Sequence, residues 1–248
     1  MHVNAYILQT LLRNLKKYLL TILFGLGLPG GLLFSATAAQ AEGGLSIQGT
    51  RIVYPQKSKQ VSVLLTNNAM KDVFLVQSWV EDNVGEKTKD FVVTPPLYVS
   101  NPKDSNTLRL MYTGKPLPQD RESLYFFVAK AIPSIEKRDA EGKNVLIMAA
   151  ANRIKLFVRP EGLKPDVSEA PAQLTFKKAG AQLEIRNSGP YYLTMTDIKV
   201  GTHRLDNIMV PPKDKVSVAL PAGSGNSVHY RTINDEGALT PELTRPVK

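Results

Sequence analysis

Few residues of this chain are typed and spaced for covalent chemistry. His2, His203 and His229 are its only histidines, and neither His203 nor His229 lies in a spacing that suggests metal ligands or a nucleophile relay. Cysteine is absent, which excludes thiol chemistry and thiolate metal sites. Gly223-Ser224-Gly225 resembles part of a hydrolase elbow but lacks the five-residue pattern and reads as a turn. No ATP-binding motif occurs. The chain therefore reads as a non-enzyme with no metal site and no cofactor. The chemistry that remains is recognition, and it centres on residues 144–160, NVLIMAAANRIKLFVRP. With a period of two, one face carries Leu146, Met148, Ala150, Asn152 and Ile154. The other carries Val145, Ile147, Ala149, Ala151, Arg153, Lys155 and Phe157. Both faces are apolar over the first half, so the segment either lies between two layers or has a second partner. Lys155 argues against a simple interior strand, because a Lys on a sheet edge is a common device against unwanted pairing. Taken alone, Lys155 reads as such a charge and Arg51 as a solvated residue.

The elements that must position this run are short strands bounded by turn residues. They are expected at residues 45–55 with a bulge or bend at Gly49, at 60–66, at 73–80 with Trp79 as core anchor, at 91–97, 106–112 and 123–131, and in the central run itself. Residues 132–143 form a charged hairpin loop. Pro95 and Pro96 confine their strand to an edge or a sheet switch, and Thr94-Pro95 is a candidate cis bond. Seven short antiparallel strands suggest an immunoglobulin-like sandwich. Residues 159–165, with two Pro and a Gly, form the linker candidate. Beyond it strands restart at 172–177, 182–186, 191–200, 208–210, 215–220 and 227–233, with no repeat motif shared by the halves. The fold class is all-β, two sandwich domains spanning 42–160 and 161–248.

Residues 1–41 read as a secretory signal: Arg13, Lys16 and Lys17 precede an apolar run, and Ala39-Gln40-Ala41 offers a cleavage site. An uncleaved anchor is the weaker alternative, and a start codon further in is open. Loss of these three basic residues lowers the formal charge from +9 to +6. The basic residues are scattered, and in an exported protein nucleic acid is excluded as the partner. A mature chain of this length buries enough core without disulfides.

The pieces Thr50-Arg51-Ile52-Val53-Tyr54-Pro55, Gln77-Ser78-Trp79-Val80-Glu81, Thr94-Pro95-Pro96, residues 117–124, Ile132-Pro133, Lys155-Leu156-Phe157-Val158-Arg159-Pro160, Gly189-Pro190-Tyr191-Tyr192 and Ile233-Asn234-Asp235 are specific in their order and spacing. Together they resemble the periplasmic chaperones of pilus assembly, of which PapD is the type member. The resemblance implies two immunoglobulin-like domains at an angle with a cleft between them. It also implies a client, a pilus or fimbrial subunit that lacks its last strand and is complemented by a strand lent from the chaperone. Carried over residue by residue, Asn144, Leu146, Met148 and Ala150 are the donor segment. Arg51 and Lys155 are the anchor for the subunit's C-terminal carboxylate, and Glu122, Arg159 and Asp235 are an interdomain salt-bridge network. Ala150 departs from the larger aliphatic residue expected there, and Val128 stands where the family often has Asn. The loop before the donor strand, only slightly longer than is typical of the family's short-loop branch, and the missing Cys place the chain in that branch. Further implications are a periplasmic address, delivery to an outer-membrane usher, and a self-capping homodimer of the free protein. A secreted adhesin or carbohydrate-binding sandwich remains the alternative, because fold alone does not separate the two.

Overall fold

A computed structural model describes residues 43–134, residue 146 and residues 148–248. The signal expected at 1–41, its anchor alternative, most of the 132–143 loop and the donor residue Asn144 lie outside the described residues.

Residues 43–134 and the central run build two sheets that share one core. The first sheet has the order β1 (Leu45–Ile47), β3 (Val61–Asn67), β7 (Ser105–Tyr112), β5 (Phe91–Thr94). The second runs β2 (Arg51–Pro55), β9 (Ala150–Arg159), β8 (Ser123–Pro133), β4 (Phe74–Glu81), β6 (Leu97–Ser100). The alternating Val63, Leu65, Leu108 and Leu110 face Val76, Val80, Phe127 and Leu156 across the sandwich, all buried. Period-two alternation thus puts one apolar face of each sheet against the other.

Two sheet switches define the edges. The expected first strand is split: β1 pairs β3 in one sheet and β2 pairs β9 in the other, with Gly49 at φ +84° between them. That φ belongs to the left-handed region that glycine enters without a β-carbon clash, so the bend falls where the sequence suggests it. Pro95 and Pro96 mark the second switch, from β5 to β6, and the Thr94-Pro95 bond is cis.

Two expectations are corrected. The strands are not all antiparallel, since β2 runs parallel to β9 with Arg51 opposite Lys155. Trp79 is not the core anchor either: Val76, Ser78 and Val80 take the buried face of β4, leaving Trp79 on the outer face. There its Nε1 donates to Glu81 at 3.1 Å and the Lys87 ammonium sits 5.7 Å from the ring. Tyr54, Phe91, Tyr112 and Tyr125 form the aromatic part of the core instead, in edge-to-face pairs 5.0 to 6.3 Å apart.

The second domain packs β10 (Thr175–Ala179), β11 (Gln182–Asn187) and β15 (Asp214–Ala219) against a sheet of β12 (Leu193–Val200), β13 (His203–Arg204), β14 (Ile208–Val210), β16 (Ser227–Thr232) and β17 (Leu243–Pro246). A one-turn 3-10 helix, Ala170–Gln173, occupies the start of the strand expected at 172–177. Its core of Phe176, Leu183, Ile185, Met195, Ile198, Val228 and Tyr230 is separate from the first.

The domains share no repeat in sequence, yet they close one turn in the same way. Asn67 is fully buried; its amide donates to the carbonyls of Asp72, Ser100 and Asn101 and accepts from Ala69 N. Asn187 donates to Tyr191 and Pro211 carbonyls and accepts from Gly189 N. Each satisfies loop carbonyls that would otherwise be buried without a donor.

Candidate functional site: a paired-cation cleft beside an open strand edge

Strand β9 changes character along its length. Over Lys155–Arg159 it is gripped on both edges, by β2 and by β8. Leu156 and Val158 face the first domain's core, while Phe157, on the opposite face, stacks on Tyr192 of the second domain at 5.7 Å. The second apolar face is thus covered by the chain's own second domain in this half. Over 150–154 β8 is the strand's only ladder partner among the described residues, and Ala150, Ala151, Asn152 and Arg153 are exposed. A side-chain bond from Asn152 Nδ2 to Leu45 O, 2.5 Å, is the link across to β1 there. Further toward the N-terminus, Leu146 and Met148 are 83% and 74% exposed. Large apolar side chains left this open, beside a ladder edge with no partner among the described residues, are unusual on a finished surface.

Where the gripped half begins, Arg51 and Lys155 are register partners on adjacent strands. Lys155 Nζ donates to Thr194 Oγ1 at 2.8 Å, and Arg51 Nη1 donates to the Ile233 carbonyl at 2.9 Å. Both partners belong to the second domain, so the two cations stand where the domains meet. Among the described residues neither cation contacts a carboxylate, and the buried Arg51 Nε has no hydrogen-bond partner. Burial, and after it the neighbouring Arg51 guanidinium, lowers the pKa of Lys155 from the ordinary lysine value. Burial likewise lowers that of Arg51, against the opposing pull of Asp235 and Glu122. Two like charges forced together, half-desolvated and short of acceptors, form a site for an anion.

Behind this pair lies the ion-pair network. Arg159 Nε donates to Glu122 Oε1 at 2.6 Å, and its Nη1 and Nη2 take the two oxygens of Asp235 at 2.6 and 2.8 Å. Glu122, its side chain 1% exposed, also accepts from Tyr192 N at 2.8 Å. Burial acts against the charge of Arg159, but the Asp235 and Glu122 carboxylates outweigh it and hold its pKa above the ordinary value. A fork with both carboxylates satisfied is a rigid brace between domains. A cavity of about 480 Å³ lies between them, lined by Arg51, Glu122, Phe157 and Arg159 on one side and by Tyr192, Leu193 and Leu243 on the other.

The structure thus brings Arg51 to Lys155, brings Glu122 and Asp235 to Arg159, and leaves Leu146, Met148 and Ala150 exposed. Sequence reasoning did not find Thr194, the Ile233 carbonyl, or a further interdomain pair, Lys213 to Asp120 at 2.8 Å. Thr194 sits in an apolar alternation with nothing to distinguish it, and a backbone carbonyl has no sequence signal.

The Lys155 shift predicts an alkaline signature. In the unfolded chain Lys155 titrates near 10.5 and in the folded chain below that. Between the two values only the unfolded chain holds the proton, so this group's contribution makes folding stability rise with pH across the window. Affinity for a carboxylate instead falls as the pH climbs through the folded value. Anion titrations over an alkaline pH series check this, and Lys155→Arg, which keeps its charge, should abolish the fall.

Two family profiles match the chain. Residues 44–164 match the pili and flagellar-assembly chaperone PapD N-terminal domain, and residues 169–244 the pili assembly chaperone PapD C-terminal domain. The probable fimbrial chaperone SfmC of Escherichia coli K12 is 42% identical over 209 residues, covering 84% of this chain and 91% of that protein. The chaperone protein FimC of the same strain is 44% identical over 220 residues, covering 88% and 91%. Among solved structures, the periplasmic chaperone SfaE superposes with a TM-score of 0.72 at 42% identity, over 83% of this chain and all of that one. The SafB chaperone in complex with the SafA pilin, from Salmonella enterica, gives 0.74 at 25% identity, over 82% and 96%. With both halves matched and this identity sustained along the described fold, the chain belongs to the PapD-type family of pilus-assembly chaperones.

Proposed function

We propose that this protein is a periplasmic chaperone for pilus or fimbrial subunits, which it binds by lending the exposed segment ahead of and into β9 as a missing strand. The carrying observation is the juxtaposition of a strand edge unpaired among the described residues, preceded by exposed Leu146 and Met148, with a desolvated cation pair at its fixed end. Main-chain hydrogen bonds along 150–154 supply affinity without regard to sequence, while Leu146, Met148 and Ala150 fill a client groove. Arg51 and Lys155 bind the client's C-terminal carboxylate, and this anchor sets the register. A slip of one residue turns every donor side chain to the wrong face. Asn144 opens the donor segment. Glu122, Arg159 and Asp235 keep the two halves of the anchor together. No reaction is catalysed; the client is passed to an outer-membrane usher when another strand replaces the lent one. Until a client arrives, the same apolar edge is covered by a second copy of the chaperone.

Substituting Leu146→Asp and Met148→Asp separates recognition from folding. Both side chains are exposed, so the unfolding free energy of each variant should stay within about 0.5 kcal/mol of wild type. Client capture should lose about 1.5–3 kcal/mol per buried side chain. The measurement is a pull-down from the periplasm of the native strain with tagged mature chain, bound proteins being identified by mass spectrometry, alongside urea unfolding. Undiminished capture by both variants would sink the strand-donation reading and favour an adhesin-like sandwich.

A further inference from the structure

The loop between β16 and β17 touches the first domain at three points within five residues. The Ile233 carbonyl accepts from Arg51, Asp235 takes the Arg159 fork, and Gly237 lies against Thr50, the residue before Arg51. The loop is closed on itself by Asn234 N to Ala238 O at 2.9 Å, Gly237 N to Asn234 O at 3.1 Å, and Ala238 N to Asn234 Oδ1 at 2.7 Å. These bonds brace it as one turn. Gly237 has φ +85°, and a β-carbon there would run into the Thr50 hydroxyl. The distance between loop and strand is thus set by direct contact with a backbone that carries no side chain. That distance decides whether the Ile233 carbonyl reaches the Arg51 guanidinium, whose Nε has nothing else to hold it.

We propose that Gly237, through its contact with Thr50, is a positioning residue for Arg51 and so tunes how well the cleft discriminates a carboxylate. Its link to carboxylate binding rests on the anchor reading above. The contact keeps the loop close enough for one guanidinium arm to be occupied by Ile233, leaving the remaining arm for the anion, with Nε buried beside it. A side chain at 237 pushes the loop off β2, frees the guanidinium and blurs its direction. The sequence gives this residue no distinction from the chain's other turn glycines; only the approach of Thr50 does.

The test uses the whole mature chain and two readouts. One is the Arg51 Nε–H resonance in a client-free sample, assigned by its loss in Arg51→Ala. The other is the affinity ratio between a free-acid peptide of alternating valine and serine and its C-terminal amide. Gly223→Ala is the control, since Gly223 also has positive φ (+78°) but open space around it. The expected result is that Gly237→Ala shifts or broadens the Arg51 resonance and cuts the acid-to-amide ratio about tenfold, the size of one weakened hydrogen bond to a charge. Gly223→Ala should change neither, and Thr50→Gly combined with Gly237→Ala should restore both. Thr50→Ile fills the same space from the strand side without altering the loop φ, and should act like Gly237→Ala even if the latter folds poorly. An unmoved resonance in both Gly237→Ala and Thr50→Ile overturns the proposal, as does an equal effect of Gly223→Ala. A wild-type chain that binds acid and amide equally overturns the anchor reading alone, and the resonance then still decides the positioning.

Discussion

Lys155→Ala should cut subunit capture by about 10- to 150-fold while leaving the fold as stable as before or slightly more so. A hydrogen bond to a charged group contributes about 1.5–3 kcal/mol, and tenfold in affinity corresponds to about 1.4 kcal/mol. The stability half of the expectation comes from the environment of the cation. Lys155 is half-buried and next to Arg51, and among the described residues its one contact with a side-chain acceptor is the neutral Thr194 hydroxyl. Removing it ends a like-charge repulsion and loses one neutral acceptor. Arg51→Ala should lose a similar factor in capture, with a small stability loss from the Ile233 bond. In the proposed anchor both cations serve one carboxylate, so the double variant should lose less than the product of the single losses. Calorimetric titration with an isolated client and thermal melts of the same samples give both quantities. A Lys155→Ala protein that binds normally, or that loses binding only because it unfolds, contradicts the anchor.

Arg159→Ala should have the opposite profile, a large loss of stability. Glu122 is almost wholly buried, and without Arg159 its hydrogen-bond donor among the described residues is the Tyr192 amide, with Arg51 acting on it only through space. Breaking a buried pair by deleting one partner costs about 3–5 kcal/mol, because the remaining charge is left uncompensated. Glu122→Gln added to Arg159→Ala should recover part of that cost, since a neutral amide does not carry the desolvation of a carboxylate. Asp235→Asn should cost less than Arg159→Ala, because Asp235 is nearer to solvent and its loss still leaves Arg159 with Glu122. Urea unfolding monitored separately in each domain is the measurement, and an Arg159→Ala loss under about 1 kcal/mol, the range of an exposed pair, would show that the brace is solvated.

The all-β character and the strand spacing were legible because apolar alternation and turn residues report burial locally. Gly49 announced a bend and the Pro95-Pro96 pair an edge or sheet switch for the same reason: their backbone preferences are intrinsic. That the bend at Gly49 splits one expected strand between two sheets was not legible. What local pattern does not carry is which face of a strand is inward when both are apolar. Trp79 is the most apolar-looking anchor of β4, yet Val76, Ser78 and Val80 win the core, because the face is chosen by the register of β8 and β6 on either side. The parallel pairing of β2 with β9 was illegible for a related reason, since it joins residues about a hundred positions apart. The charged members of the site were found through a family resemblance and not through their own spacing. Their neutral supports, Thr194, the Ile233 carbonyl and Gly237, are defined only by what another domain places against them.

The division of β9 into a half gripped on both edges and a half gripped on one also fixes how the strand bears load. Tension drawn along Lys155–Arg159 works against two ladders together, so the bonds must rupture in shear and at once. Tension across 150–154 meets a single ladder, which opens like a zip, one rung after another. The strand therefore has a built-in mechanical polarity: its 150–154 half is the easier one to strip from the sheet, and the Lys155–Arg159 half is the last to let go.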